Sequence, residues 1–311
     1  MKVGVSGATG FVGRRLIGML RQAGATPLSL MRSPTSAPDT HAIGDLAEEG
    51  PLDLPAMDAL VHLAGRVHVM EERASDPLAA YRRVNVMGTQ RLLEGAVRAG
   101  ARRFVFVSTI KVLGEETLPG APFTQASRPN PQDPYSVSKL EAEELVARIC
   151  QHEGMEWAIV RPVLVYGPGV GGNFVQLLRL VDRQWPLPFG SIDNRRSLLF
   201  VDNLCAFLWE TVRRPELAGR IVNLADEPAP STPDLIRALG EAMGKRVRLL
   251  PVPVQLLELG ARMAGRGETM RRLTRSLQVD TADLFREMRW QQPTSWKAAL
   301  QETTADAFRL D

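Results

Sequence analysis

The stretch that most constrains the fold is the opening, MKVGVSGATGFVGRRL, with Gly7, Gly10 and Gly13 at three-residue steps. It follows a short apolar run and precedes Val12, Leu16, Ile17 and Leu20, which recur at helical spacing until Gly24. A glycine turn between a strand and a helix lets a pyrophosphate approach the backbone and rest on the helix N-terminus, where free amides and the helix dipole favour negative charge. Gly7 serves the turn, Gly10 the approach of the phosphates, and Gly13 the packing of helix on sheet. A bare tight turn is the alternative, and the position of the motif at the head of a βαβ unit speaks against it.

Further apolar runs alternate with helical patterns. Strands are expected at 27–31, 59–64, 103–108 and 157–162, and helices at 77–99 and 134–153. That alternation predicts an α/β fold, a doubly wound parallel sheet of Rossmann type. After Gly167 the rhythm breaks into Gly, Pro, Asn and Arg. Two more strands (197–201 and 220–225), a helix capped at Ser231, an apolar helix at 252–265 and a strand at 246–252 are expected there. The reading is a dinucleotide-binding domain of 1–168 plus roughly 197–222, and a smaller mixed α/β C-terminal substrate domain of 169–196 and 223–311. The 252–265 helix is expected to bury a core face or cover the substrate rather than to bind a membrane.

Composition excludes little. A net charge of +3 with interleaved signs gives no reason to expect nucleic acid as a partner. Cys150 and Cys205 read as small buried hydrophobes. No apolar run reaches the ~18 residues a membrane span needs, and the first residues read as a strand rather than a leader, so a cytoplasmic setting without membrane contact is expected. His41, His62, His68 and His152 show no ligand spacing, and no metal is expected.

One pair carries chemistry. Tyr135 and Lys139, in PYSVSK, stand at i and i+4 of one helix and face the same way. A phenol of pKa ~10 is a poor base near neutrality, and a lysine cation beside it stabilises the phenolate. Strand ends at the carboxyl edge of such a sheet carry the site, which directs attention to Ser108 and Thr109.

With these motifs the chain resembles the extended short-chain dehydrogenase/reductases, the nucleotide-sugar epimerases, dehydratases and reductases. The spacing GxxGxxG (Gly7, Gly10, Phe11, Val12, Gly13), GDL with Asp45 and Leu46, VHLAG with Leu63, Ala64 and Gly65, and NVMGT with Asn85 all match family segments. The resemblance implies a nicotinamide dinucleotide held by these residues together with Ser108 and with Pro162 in RPVLVYGPG, and a catalytic trio of Thr109, Tyr135 and Lys139. The family's acid after the second strand is replaced by Met31, and Arg32 follows, which suits the 2′-phosphate of NADP(H) over NAD. Arg32 pointing to solvent, with NAD held by Asp45 and backbone, is the alternative. The dehydratases resemble Thr-Asp-Glu where this chain has Thr109, Ile110 and Lys111, so loss of water is not expected.

In the second half, NF at 173–174, PLPFG at 186–190 and NRRSLLFVDNL resemble the diphosphate site of UDP-hexose 4-epimerases and UDP-N-acetylhexosamine 4-keto reductases. The resemblance implies substrate contacts from Asn173, Phe189, Arg196 and, in MRRLTRSL, Arg272. Phe189 as core packing and Arg272 as a solvated helix residue are the alternatives. The expected activity is hydride exchange at C4 of a UDP-hexose or UDP-N-acetylhexosamine, by a homodimer built on the 77–99 and 134–153 helices. Reduction of a hydrophobic alcohol or ketone, and a non-catalytic NADP sensor, are the competing classes.

Overall fold

The computed structural model describes residues 1–33, 36–67 and 75–307. The chain divides into two compact units: residues 1–114, 128–162 and 204–224, and residues 115–127, 163–203 and 225–311.

The first unit is a seven-stranded parallel sheet. Its strands are β1 (Lys2–Ser6), β2 (Thr26–Met31), β3 (Thr40–Ala42), β4 (Ala59–His62), β5 (Arg103–Val107), β6 (Glu156–Pro162) and, last in the chain, Arg220–Leu224. Their order across the sheet is β3-β2-β1-β4-β5-β6 followed by Arg220–Leu224. The chain winds outward from β1 to β3, then returns to place β4 on the other side of β1, so the topological switch lies between β1 and β4. Open parallel sheets bind ligands outside the carboxyl ends of the strands at this point. Leu28, Leu30, Leu60, Phe104, Phe106 and Ile159 of the strands are buried against Leu92, Leu93, Ala142 and Val146 of the helices. Burial on both faces explains the near-continuous apolar runs.

Two helices position the chemistry. The expected helix at 77–99 is α2 (Pro77–Arg82), a π-helical turn (Arg83–Met87) and α3 (Gly88–Arg98) in succession, α1 being Phe11–Gln22. Such single π turns recur at functional sites, and here the turn contains the buried Asn85. Helix α4 (Pro134–Glu153) has the bounds read from the sequence. Asp133 caps it through Ser136 N in a reciprocal capping box, Pro134 occupies its first turn, and Gly154 ends it at φ 67°.

The second unit contains β7 (Leu164–Tyr166) paired in parallel with β8 (Leu198–Phe200), together with α5 (Gly172–Asp182), α7 (Thr232–Ala242), α8 (Val254–Met263) and α9 (Gly267–Thr274); α6 (Val201–Arg213) begins in this unit and ends in the first. The pairing of β7 with β8 assigns 163–168 and 197–203 here rather than to the dinucleotide domain. Ser231 caps α7 by accepting from Asp234 N, as its sequence implies. The strand expected at 246–252 is absent. Leu249 makes only an isolated bridge to Leu187. The helix expected to bury a core face does not, since Ala261 is the one buried residue of α8.

Candidate active site

The glycine turn follows β1, and each glycine meets a different constraint. Gly7 takes φ 68°, and a Cβ on it would come within 2.8 Å of Ala64 N in the loop after β4. A Cβ on Gly13 would lie 2.2 Å from Gly7 O and 2.7 Å from Ala8 Cα. A Cβ on Gly10 would meet only Gly7 O, at 3.2 Å, and Gly10 is exposed. Two glycines therefore lock α1 and the β4 loop onto the turn, and the third leaves its outer side open. No side chain caps α1, and no acid stands in its first turn. The first amides of Phe11, Val12 and Gly13 thus meet the requirements of a phosphate seat.

A chain of hydrogen bonds braces this seat. Ser6 Oγ accepts from the amides of Leu63 and Ala64, each at 3.2 Å. Its own proton therefore goes to His62 Nδ1, 2.6 Å away. That leaves the His62 proton on Nε2, donated to Thr89 Oγ1 at 2.9 Å. The Thr89 hydroxyl in turn donates to Asn85 O at 2.6 Å. Every group has a partner in only this tautomer. Burial, with the Lys139 charge in second place, pushes His62 down to about 3, so the ring stays neutral. His62 was legible in the sequence only as a histidine without ligand spacing; its role depends on Thr89, 27 residues away.

Asn85 ties the same loop to α4. Its Oδ1 accepts from Arg66 N at 2.8 Å, and its Nδ2 donates to Arg66 O and to Ser138 Oγ, both at 3.0 Å. Ser138 Oγ then donates to Tyr135 O at 2.7 Å. Gly65 lies against Asn85, where a Cβ would stand 3.1 Å from Oδ1. Gly88 lies against Leu46, where a Cβ would come within 2.8 Å of the Leu46 Cβ. Asn85 acts in this structure as a brace for the loop.

Thr109, Tyr135 and Lys139 come together from the end of β5 and the start of α4. The Thr109 side chain stands close enough to the Tyr135 hydroxyl to lower its pKa, and the Tyr81 ring stands 5.9 Å from that of Tyr135. Lys139 Nζ donates to Val107 O at 2.8 Å and lies 3.9 Å over the Phe106 ring. Burial lowers Lys139 to about 7, against the pull of Glu143. The Glu143 carboxylate is itself paired with Arg161 in a buried ion pair at 2.5 Å. Tyr135 differs from expectation. Burial and the Asp133 charge raise its pKa above the ordinary phenol value, and only the neighbouring Thr109 side chain lowers it. The side chain rests as a neutral phenol. Ser108 Oγ is buried without a hydrogen-bond partner, an orphan at the strand end where the sequence places the nicotinamide.

Ile110 is buried, and Lys111 is spent on Asp133 at 2.6 Å. Burial opposes ionisation of Asp133, yet bonds from Lys111 and Ser136 hold its carboxyl below the usual range. The positions that would supply an acid pair for dehydration thus carry an alkyl group and a paired cation. Arg32 is largely exposed, with Nε 3.7 Å from Asp45 Oδ2. Asp45 Oδ1 accepts from Ala47 N at 2.9 Å. Pro162 is buried at the end of β6.

The remaining residues belong to the second unit. Arg196 and Arg272, far apart in sequence, are close enough that the charge of Arg272 adds to burial in lowering Arg196 to about 10. Arg196 NH1 donates to Arg275 O at 3.1 Å, and Arg272 pairs with Glu268. Phe189, expected either as a substrate contact or as core packing, is 7% exposed and buried in the core. The backbone of Leu250 crowds the neighbouring Gly190, where a Cβ would stand 3.0 Å from the Leu250 carbonyl. Asn173 is exposed in the first turn of α5.

The sequence profile described as the NAD dependent epimerase/dehydratase family matches residues 3–225. The chain belongs to that family. Over 310 residues it is 36% identical to a UDP-glucose 4-epimerase of Vibrio cholerae, covering 98% of this chain and 94% of that protein. It is 30% identical over 263 residues to a GDP-6-deoxy-D-mannose reductase of Pseudomonas aeruginosa, covering 81% and 83%. Among solved structures, RMD from Pseudomonas aeruginosa complexed with NADPH superposes with a TM-score of 0.75 at 25% identity, covering 98% of both chains. The chain is therefore an NAD(P)-dependent enzyme of the extended short-chain dehydrogenase/reductase class. The open phosphate seat, the closed glycine contacts and the orphan Ser108 hydroxyl all fit the family's dinucleotide.

Proposed function

We propose that this enzyme exchanges hydride at C4 of a UDP-hexose or UDP-N-acetylhexosamine, as a 4-epimerase or a 4-keto reductase. The observation that carries the reading is the juxtaposition of Arg196 and Arg272. The Arg272 charge reaches Arg196, whose burial already disfavours its cation, and a diphosphate would take paired hydrogen bonds from two such forks. A hydrophobic ketone would draw nothing from these two cations, and a mere sensor would have no use for the retained Thr109, Tyr135 and Lys139.

The amides of residues 11–13 and the 63–65 loop would hold the dinucleotide, with Asp45 toward the adenosine end. The nicotinamide, when bound, supplies or takes up hydride at the sugar carbon. The chain's own part is proton handling. Tyr135 Oη holds a proton and lies near Thr109, so both hydroxyls can address one substrate oxygen. In reduction, Tyr135 gives its proton to the C4 oxygen. The Lys139 ammonium then steadies the phenolate left behind, and its exchange with solvent near neutrality matches a pKa of about 7. The resting phenol and Arg32, which suits a 2′-phosphate, support the reductive direction with NADP(H). The family resemblance supports a homodimer through the exposed groove of α3 and α4, where Val97, Leu145 and Ile149 lie.

The test is product identification after incubation with UDP-glucose, UDP-N-acetylglucosamine and a UDP-4-keto sugar, with NADPH, with NADH and with neither. Turnover of a UDP-sugar at C4 is expected, with NADPH preferred. Inertness toward all three, with turnover of an apolar ketone, would overturn the reading. Sedimentation at micromolar concentration tests the dimer.

A further inference from the structure

Helices α8 and α9 form a hairpin that the core does not absorb. Ala261 is the one buried residue of α8, and α9 has none. Leu256, Leu259 and Met263 are 59%, 56% and 83% exposed. Their spacing of three and then four residues puts them in one stripe along α8. Leu250, just upstream, is also exposed. A surface facing only water has no use for a stripe of large apolar side chains on a helix with so little anchorage.

The charge beside the stripe is one-sided. Among the arginines of the hairpin and its flank, Arg271 faces Glu116 at 3.8 Å, Arg272 pairs with Glu268, and Arg275 faces Glu258 at 3.4 Å. Arg262 and Arg266 make no ion pair among the described residues and are exposed. They flank Met263, the most exposed member of the stripe.

We propose that this hairpin is a docking surface for an anionic phospholipid bilayer. Leu256, Leu259 and Met263 would enter the boundary between headgroups and acyl chains, and Arg262 and Arg266 would meet lipid phosphates, their aliphatic stems lying along the surface. A second copy of the chain is the poorer occupant. A two-fold contact sets a patch against itself, which would bring these unpaired cations together. A protein partner is also less suited, because the stripe lacks the Trp and Tyr that anchor protein interfaces. The proposal is independent of the C4 chemistry, since binding to a surface requires no turnover.

The test is flotation of the full chain with vesicles of phosphatidylglycerol mixed into phosphatidylcholine, against phosphatidylcholine alone, at low and high salt. Binding to the anionic vesicles is expected, weakened by salt and by removal of phosphatidylglycerol. The Leu259→Glu/Met263→Glu double variant and the Arg262→Glu/Arg266→Glu double variant should each lower the bound fraction at least ~10-fold at unchanged melting temperature, because all four side chains are exposed. Absence of the parent protein from the floated fraction, or equal flotation of parent and variants, would overturn the proposal. A fall in sedimenting mass in the Leu259→Glu/Met263→Glu variant would overturn it in favour of self-association.

Discussion

Replacing Gly13 by Ala is the sharpest test of the glycine turn. The added methyl would stand 2.2 Å from Gly7 O, 2.7 Å from Ala8 Cα and 2.9 Å from Ala8 C. Ordinary contact begins near 3.4 Å, so α1 and the turn must separate by roughly 1 Å. All three obstructing atoms are backbone, and no side chain can swing aside. Overpacking of this kind costs ~1–3 kcal/mol of stability. The larger effect falls on the dinucleotide. A shift of ~1 Å in the first α1 amides stretches charge-assisted hydrogen bonds worth ~1.5–3 kcal/mol each out of reach, which is a loss of about ten- to hundredfold in affinity for one bond. Gly18→Ala on the same helix is the control. A Cβ there meets nothing within 4 Å, and an exposed helix interior gains ~0.5–1 kcal/mol on Gly→Ala. Fluorescence titration of NADPH and NADH, with melting curves, should show Gly13→Ala binding weakly and melting low, and Gly18→Ala binding normally and melting slightly high. Parent-like dinucleotide binding by Gly13→Ala would refute the argument that close packing at this glycine sets the phosphate seat.

Tyr135→Phe should keep dinucleotide affinity and lower turnover of the identified UDP-sugar by ~10²-fold or more, since it removes the proton from the trio; near-parental kcat would exclude Tyr135 from proton transfer. Arg196→Ala should weaken UDP binding in calorimetric titration by ~10-fold or more, for loss of a charge-assisted pair, with NADPH affinity unchanged; equal UDP affinity would remove the diphosphate clamp. His62→Gln should flatten the acid side of the stability curve. The folded-state pKa of His62 is depressed to about 3 from 6.5, so its contribution is fully present above about pH 6.5 and is lost as pH falls toward 3. The difference in melting temperature between parent and variant should therefore shrink steadily over that window, and a constant difference would contradict a neutral buried imidazole.

Much of this enzyme follows from short-range pattern. The strands at β1, β5 and β6 read as apolar runs because a parallel sheet is buried on both faces. The bounds of α4 are written in Asp133, Pro134 and Gly154, whose capping and left-handed preferences act within a few residues. The facing of Tyr135 and Lys139 needs only the helical repeat. What the sequence left open depends on groups that meet across long separations. Whether Tyr135 rests as phenol or phenolate is decided by burial and by Asp133, and the tautomer of His62 by Ser6 and Thr89, on other elements. Asn85 turns inward through a π turn that no local periodicity announces. Arg196 acquires a perturbed proton affinity only because folding buries it and sets the Arg272 charge beside it. Helix α8 shows the limit most plainly. Its apolar spacing states that one face avoids water, but periodicity is blind to what lies opposite that face, and only the tertiary structure leaves Leu256, Leu259 and Met263 in solvent.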